Sequence, residues 1–208
     1  MPEPQYIAAA GGAWDSSLLE PLAELNLEVL EALAGLPGAA SWSWRALSDD
    51  ARARLAHCPF LLVELGAAQP QLWSNLPRVG VHEAQPVSAL LAQRGPLATP
   101  LLRRLLLFAW HLARANRLAA RIALGMSAPC AALVAACRFA DLEALAERRP
   151  AWIRPRWHDR PEVWQAWLGA ALQESPHGLE NLRLWGLQML AADVGAARPA
   201  VETSQRRL

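Results

Sequence analysis

Between Pro100 and Leu124 the sequence is apolar on nearly every side, and a helix of that kind has to lie inside whatever the rest of the chain builds. Thr99-Pro100 provides an N-cap residue and a first-turn proline, and Gly125 provides a stop. The spacing predicts one long helix from Pro100 to Leu124, with Leu105, Phe108 and Leu112 fully buried. It is not a membrane span, because its most apolar run, Leu105 to Trp110, lies between Arg103-Arg104 and Arg114. That is far short of the ~20 residues a bilayer requires. The expected fold class is all-α, a single-domain orthogonal or bundle-like array around this central helix, with helical content well above half.

Other segments support that frame. Asp15-Ser-Ser17 with Glu20 reads as a capping box opening a helix through Leu33, with Leu18, Leu22, Leu25, Val29 and Leu33 at helical spacing. Ser48-Asp-Asp caps a second helix that Pro59 must kink or end, and the negative pair suits a helix N-terminus. Phe60 to Leu65 is apolar and short; its helical neighbours favour helix. Residues 67–99 are punctuated by proline and glycine, with one short helix expected near Val87–Gln93. Ser127 caps a short helix holding Leu133. Another helix reaches Arg148, with Asp141 in it or just before it. Asp159-Arg-Pro161 opens a helix through Gln173, and Gly178 to Val194 forms the last one. Residues 1–13 are expected as a flexible leader, 14–195 as one helical domain with an irregular 67–99 loop, and 196–208 as a polar tail.

Composition narrows the function classes. The 208 residues are 53% hydrophobic and 19% charged, which is outside the range of disordered chains. A formal net charge of +1 gives no global field for nucleic acid. All 20 cationic residues are arginine, as a GC-rich bacterial coding bias would produce; a preference for bidentate contacts would do the same. Cys58, Cys130 and Cys137 are odd in number and form no CxxC pair, so a reducing cytoplasm is expected. The beginning of the chain lacks the pattern of a secretory signal. No βαβ alternation and no glycine-rich phosphate loop occur, which excludes Rossmann and P-loop folds.

One short segment concentrates groups suited to recognition. Arg148, Arg149, Arg154, Arg156 and Arg160 surround Trp152 and Trp157, and only Asp159 opposes them. Arginine forks beside flat aromatic faces suit phosphates, unstacked bases or an acidic protein groove. The alternative is a connector whose tryptophans dock into the core while its arginines stay solvated.

Residues 121–159 also carry a pattern of helix end, capped helix, turn, second helix and arginine–aromatic tail. The positions that define it are Leu124, Gly125, Ala132, Leu145, Ala146, Glu147, Arg156, Trp157 and Asp159. This stretch resembles the central part of the D subunit of the bacterial flagellar master regulator. The resemblance implies a helix–turn–helix-like regulatory module acting through a partner protein in transcription control. Read physically, the turn Cys137-Arg-Phe-Ala140 lacks glycine, and the helix after it carries Asp141, Glu143 and Glu147, a poor face for phosphate.

The remaining constellations are thin. Cys130 and Cys137 lie seven apart, which is not zinc-ligand spacing even with His111 or His158. His57-Cys58 are adjacent and cannot pair as base and nucleophile. His82-Glu83 could act as an acid–base pair only if the 67–99 loop covers a pocket. The expected function is therefore a non-enzymatic regulatory or adaptor protein, without cofactor or metal, contacting an acidic protein through Arg148–Arg160. The alternatives are a small cytoplasmic enzyme with its site under the 67–99 loop, or direct nucleic-acid binding. Homo-oligomerisation stays open, and no membrane association is expected.

Overall fold

The capping residues read from the sequence start helices where their side chains can take orphan N–H groups. The computed structural model describes residues 16–34, 44–65, 73, 95–148, 154–173 and 175–196. Helices take up 80% of these residues, beside one two-stranded antiparallel ladder, so the fold is all-α. The expected leader and most of the 67–99 loop, including the helix near Val87–Gln93 and His82-Glu83, lie outside the described residues.

Helix α1 (Ser16–Ala34) buries Leu22, Leu25, Val29, Leu30 and Leu33 along one stripe. Helix α2 (Asp49–Ala56) follows a short 3-10 turn at Trp44–Ala46; the Ser48 Oγ accepts from the Ala51 N–H at 3.2 Å. It ends before Pro59, whose ring and missing N–H forbid continuation.

Residues 60–65 overturn the helical expectation. Phe60, Leu61, Leu62, Val63 and Leu65 are all at most 1% exposed, yet the segment is not helical: it bends at Phe60 and Leu62 and runs as a strand only at Val63–Glu64. Its backbone bonds go to other elements. Leu61 N–H donates to the Ala123 carbonyl at 2.8 Å, and Leu62 N–H donates to the Asn26 side-chain oxygen at 2.9 Å. Strand β1 (Val63–Glu64) pairs antiparallel with β2 (Arg154–Pro155), Val63 opposite Pro155 and Glu64 opposite Arg154. A non-helical segment buried on both faces reads as a continuous apolar run, and periodicity alone cannot tell it from a buried helix.

The central helix is two helices, not one. Helix α3 (Gly95–Ala115) begins earlier than the Thr99-Pro100 signal, and α4 (Arg117–Leu124) starts afresh. Asn116 breaks the run: its backbone is extended, and its side-chain oxygen accepts from the Ala119 N–H at 3.0 Å. Asparagine is among the strongest N-caps, which explains a break inside so apolar a stretch. Helix α3 still holds the centre, packing on α1 and α4 and on α5 (Ala128–Ala136) and α6 (Phe139–Arg148). Leu105 and Leu112 are buried as expected, whereas Phe108 is only half-buried.

Gly125 ends α4 in the left-handed region at φ 64°, and Ser127 caps α5 by accepting from the Cys130 N–H. The bend between α4 and α5 is 114°. Helix α6 begins at Phe139, so Asp141 lies in its first turn. There its carboxylate receives the Arg138 Nε and Nη2 at 2.9 and 2.8 Å, bonds that hold the carboxyl below its ordinary range. Helices α7 (Pro161–Leu172) and α8 (Pro176–Ala196) complete the array. Arg160, not Asp159, is the N-cap of α7, and its side chain makes no capping bond. Helix α8 starts two residues before the expected Gly178. Trp164 and Trp167 of α7 are fully buried in the same contiguous apolar cluster as Leu105.

Candidate functional site

The arginine–tryptophan segment is where sequence chemistry is densest, and the structure buries two of its seven groups, Arg156 and Trp157. Arg148 is the last residue of α6, while Arg149 and Trp152 lie outside the described residues. Arg154 sits on β2 and places its Nη2 3.1 Å from the Glu64 carboxylate on the paired strand. Arg160 reaches the Asp193 carboxylate of α8 at 3.9 Å.

Arg156 is buried, 5% exposed, and bonds three backbone carbonyls. Its Nε donates to the Leu61 oxygen at 2.8 Å, and its Nη2 donates to the oxygens of Val63 at 3.2 Å and Leu124 at 2.9 Å. The Leu124 oxygen is one of the orphan acceptors at the end of α4, so the guanidinium caps a helix while clasping the 61–63 segment. Burial pulls its pKa down to about 10, with the charges of Glu64 and Asp193 opposing the shift. Its own carbonyl accepts from the Trp164 Nε1 at 2.6 Å.

Trp157 is 4% exposed and adopts φ 52°, a left-handed conformation that costs a non-glycine residue about 1–2 kcal/mol. Two contacts offset that strain: the indole packs edge-on against Phe60 at 5.8 Å, and its Nε1 donates to Asp193 at 3.2 Å. As residues of a contact surface, then, Arg156 and Trp157 are corrected: both side chains are consumed by the fold. The connector alternative holds for the tryptophan, but not for the arginine, which is buried rather than solvated.

Two residues of this framework were not singled out in the sequence. Asn26 is fully buried; its Nδ2 donates to the Ala56 and Phe60 carbonyls at 3.0 Å, and its oxygen accepts from Leu62. An amide inside the apolar stripe of α1, four residues after Leu22, was the available signal. Asp193 had no signal, since its partners lie more than thirty residues away in sequence.

Four of the positions that carry the resemblance, Leu124, Gly125, Arg156 and Trp157, fall in this framework. A Cβ on Gly125 would stand 2.7 Å from the Arg156 Nη1 and 2.9 Å from Leu190. Glycine is needed there both for its φ and for that close approach.

The three thiols are all shifted away from the thiolate form. Burial pushes Cys58 far above its usual range, with Arg183 opposing, and raises Cys137 to about 11. The described residues hold no group of three or more His, Cys, Asp or Glu side chains that could bind a metal. No single helix among them is long and apolar enough to cross a membrane. A cleft of about 400 Å³, lined by Arg54, His177, Leu179, Glu180 and Arg183, lies where α2 meets the first turns of α8. Two of its arginines brace the fold: Arg54 donates to the Ala171 carbonyl, and Arg183 to the Arg54 carbonyl.

Among the described residues, large apolar side chains are exposed on several helices, and on α8 two of them, Leu184 and Trp185, are adjacent. Leu179, Gly186 and Leu190 face inward, and Gly186 lets the helix approach so closely that a Cβ there would collide with the Phe60 ring. On the other side, Leu184 and Trp185 are 53% and 38% exposed, followed by exposed Gln188, Ala191 and Ala192. From Leu184 to Ala192 there is no charged residue.

Compared with protein-family models, curated proteins and solved structures, the chain matches none.

Proposed function

We propose that this chain is a non-enzymatic regulatory or adaptor protein that works by protein–protein contact, with the outer face of α8 as a contact surface. The observation behind the reading is the charge-free stretch Leu184–Ala192, which carries an exposed leucine and an exposed tryptophan on a helix already docked through its opposite side. A helix apolar all round is normally buried on all sides, and a grouped apolar surface marks an interaction site more often than scattered single residues do. Tryptophan is also the residue type most enriched among interface hot spots. The resemblance of residues 121–159 to the flagellar regulator subunit makes bacterial transcription control the proposed setting.

The test is a photo-crosslinking amino acid placed at position 185 in cells, with position 50 as an exposed control. A discrete protein adduct is expected at 185, absent at 50 and abolished by Leu184→Asp. Identical labelling at both positions would overturn the reading.

A further inference from the structure

Charge is segregated along this chain. From Ala84 to Ala140 there is no Asp or Glu, yet seven of the arginines fall in that interval. Several are neutralised by folding. Arg103 pairs with Glu143 and Glu147, Arg104 with Glu28, and Arg138 with Asp141. Arg114, Arg117 and Arg121 make no ion pair among the described residues. All three lie within eight residues of the Asn116 break that forms the α3–α4 elbow.

Two contacts fix side chains at this elbow. The Arg114 guanidinium lies over the Trp110 ring, 4.8 Å from its centroid, and the Trp110 Nε1 is fixed by the Cys137 carbonyl at 2.9 Å. Arg117 and Arg121 are one turn apart on α4 and share a face. Between them Leu118 is 48% exposed. Arg117 also occupies the first position of its helix, where the macrodipole disfavours a cation, and no acidic residue in that turn offsets it.

We propose that the α3–α4 elbow docks an acidic segment of a partner protein, with Arg114, Arg117 and Arg121 meeting carboxylates around Leu118. This rests on the reading of the chain as an adaptor, but uses a face other than α8. Magnitude decides between protein and nucleic acid. Three arginines neutralise three phosphates, a salt slope of about −2.7, whereas duplex binders make about 6–10 such contacts. An exposed leucine at the centre of the patch gains nothing from a phosphate backbone. In a protein interface, arginine is enriched, and the fully buried centre of the patch is more apolar than its rim.

The experiment places the photo-crosslinking amino acid at position 118 of the full chain in cells. The expected adduct is a protein whose crosslinked peptide is acidic. Arg117→Glu/Arg121→Glu should reduce it by roughly tenfold, and replacing the acids of that peptide with arginine should restore it. An adduct indifferent to the charge reversal, an adduct with nucleic acid, or none at all would each overturn the proposal. An adduct at 185 without one at 118 would leave the α8 reading standing and remove the elbow. The reverse result would remove α8 and keep the elbow. A matched urea midpoint for the reversed variant shows that loss of the adduct is not loss of fold.

Discussion

Two arginine-bearing regions of this molecule have similar sequence chemistry and opposite fates. Around β2, Arg154, Arg156 and Arg160 find Glu64, three backbone carbonyls and Asp193. At the α3–α4 elbow, Arg114 finds the Trp110 ring, and Arg114, Arg117 and Arg121 find no carboxylate among the described residues. The local sequence does not predict which is which, because the β2 region is the richer in arginine and tryptophan and would be chosen first. What separates them is the supply of acceptors that tertiary structure brings alongside. A non-helical segment such as 60–65 cannot satisfy its own carbonyls, and so it recruits a guanidinium. Around Asn116, by contrast, the helix carbonyls are taken up by helix bonds such as Asn116 N–H to Leu112 and Ala120 N–H to Asn116, and no buried acceptor among the described residues draws the neighbouring arginines in.

The largest effect that could break this comparison is at Arg156. Arg156→Met should remove three charge-assisted bonds and leave the Leu61, Val63 and Leu124 carbonyls buried without that donor. Each such acceptor costs about 1–3 kcal/mol, so a loss of about 4 kcal/mol is expected after the relief of burying a charge. At an m-value of about 2 kcal/mol/M, the urea midpoint should fall by about 2 M. Arg156→Lys should recover little, since a single ammonium cannot span acceptors on two elements. A fall below about 0.5 M would mean that the segment is held without its clasp and that Arg156 is available to a partner after all.

Next in size comes Leu105→Ala in α3. It is fully buried at the centre of the apolar cluster, and truncation there should cost about 3 kcal/mol as lost transfer energy plus a cavity. A loss under about 0.5 kcal/mol would place the centre of the fold elsewhere and weaken the contrast between core and elbow. Gly125→Ala is expected to cost about 2 kcal/mol, part from the left-handed backbone and part from contact with Arg156 and Leu190. In the Arg156→Met background the steric part should shrink. An undiminished cost there would show that the arginine and the glycine are not coupled.

How far the fold was legible follows the same division between local and tertiary causes. The caps Ser48 and Ser127, the stop at Gly125 and the Leu stripe of α1 are local, and they appear where the sequence places them. Phe60–Leu65 was unreadable because its hydrogen bonds are made to Asn26, Ala123 and Arg156, none of them nearby in sequence. The break at Asn116 was readable in principle, as a polar cap residue within an apolar run, but the apolar pattern outweighed it. Phe108 failed for a related reason: a helix apolar nearly all round still has a side facing less of the core. In the candidate site, the sequence located a dense cluster of recognition chemistry without showing that the fold itself consumes Arg156 and Trp157. The elbow arginines became visible only by subtraction, once the ion pairs of Arg103, Arg104 and Arg138 were known.

The smallest expected effect sharpens the comparison most. Arg114→Gln/Arg117→Gln/Arg121→Gln removes as many guanidinium groups as β2 and its turn employ, yet stability should change by less than about 0.5 kcal/mol. Losing the Arg114–Trp110 contact should cost about 0.5–1 kcal/mol, the usual value for an exposed cation–π pair. Removing Arg117 from the first position of α4 should return about 0.3–1 kcal/mol by taking a cation off the positive end of the helix. The buried Nε of Arg121 has no hydrogen-bond partner among the described residues, so glutamine there sacrifices little. The terms oppose each other, and the urea midpoint should stay within about 0.25 M of the parent, given the same m-value. A drop approaching that of Arg156→Met would show that the elbow arginines hold the α3–α4 junction together. Their freedom, and the acidic partner inferred from it, would then be lost in one measurement.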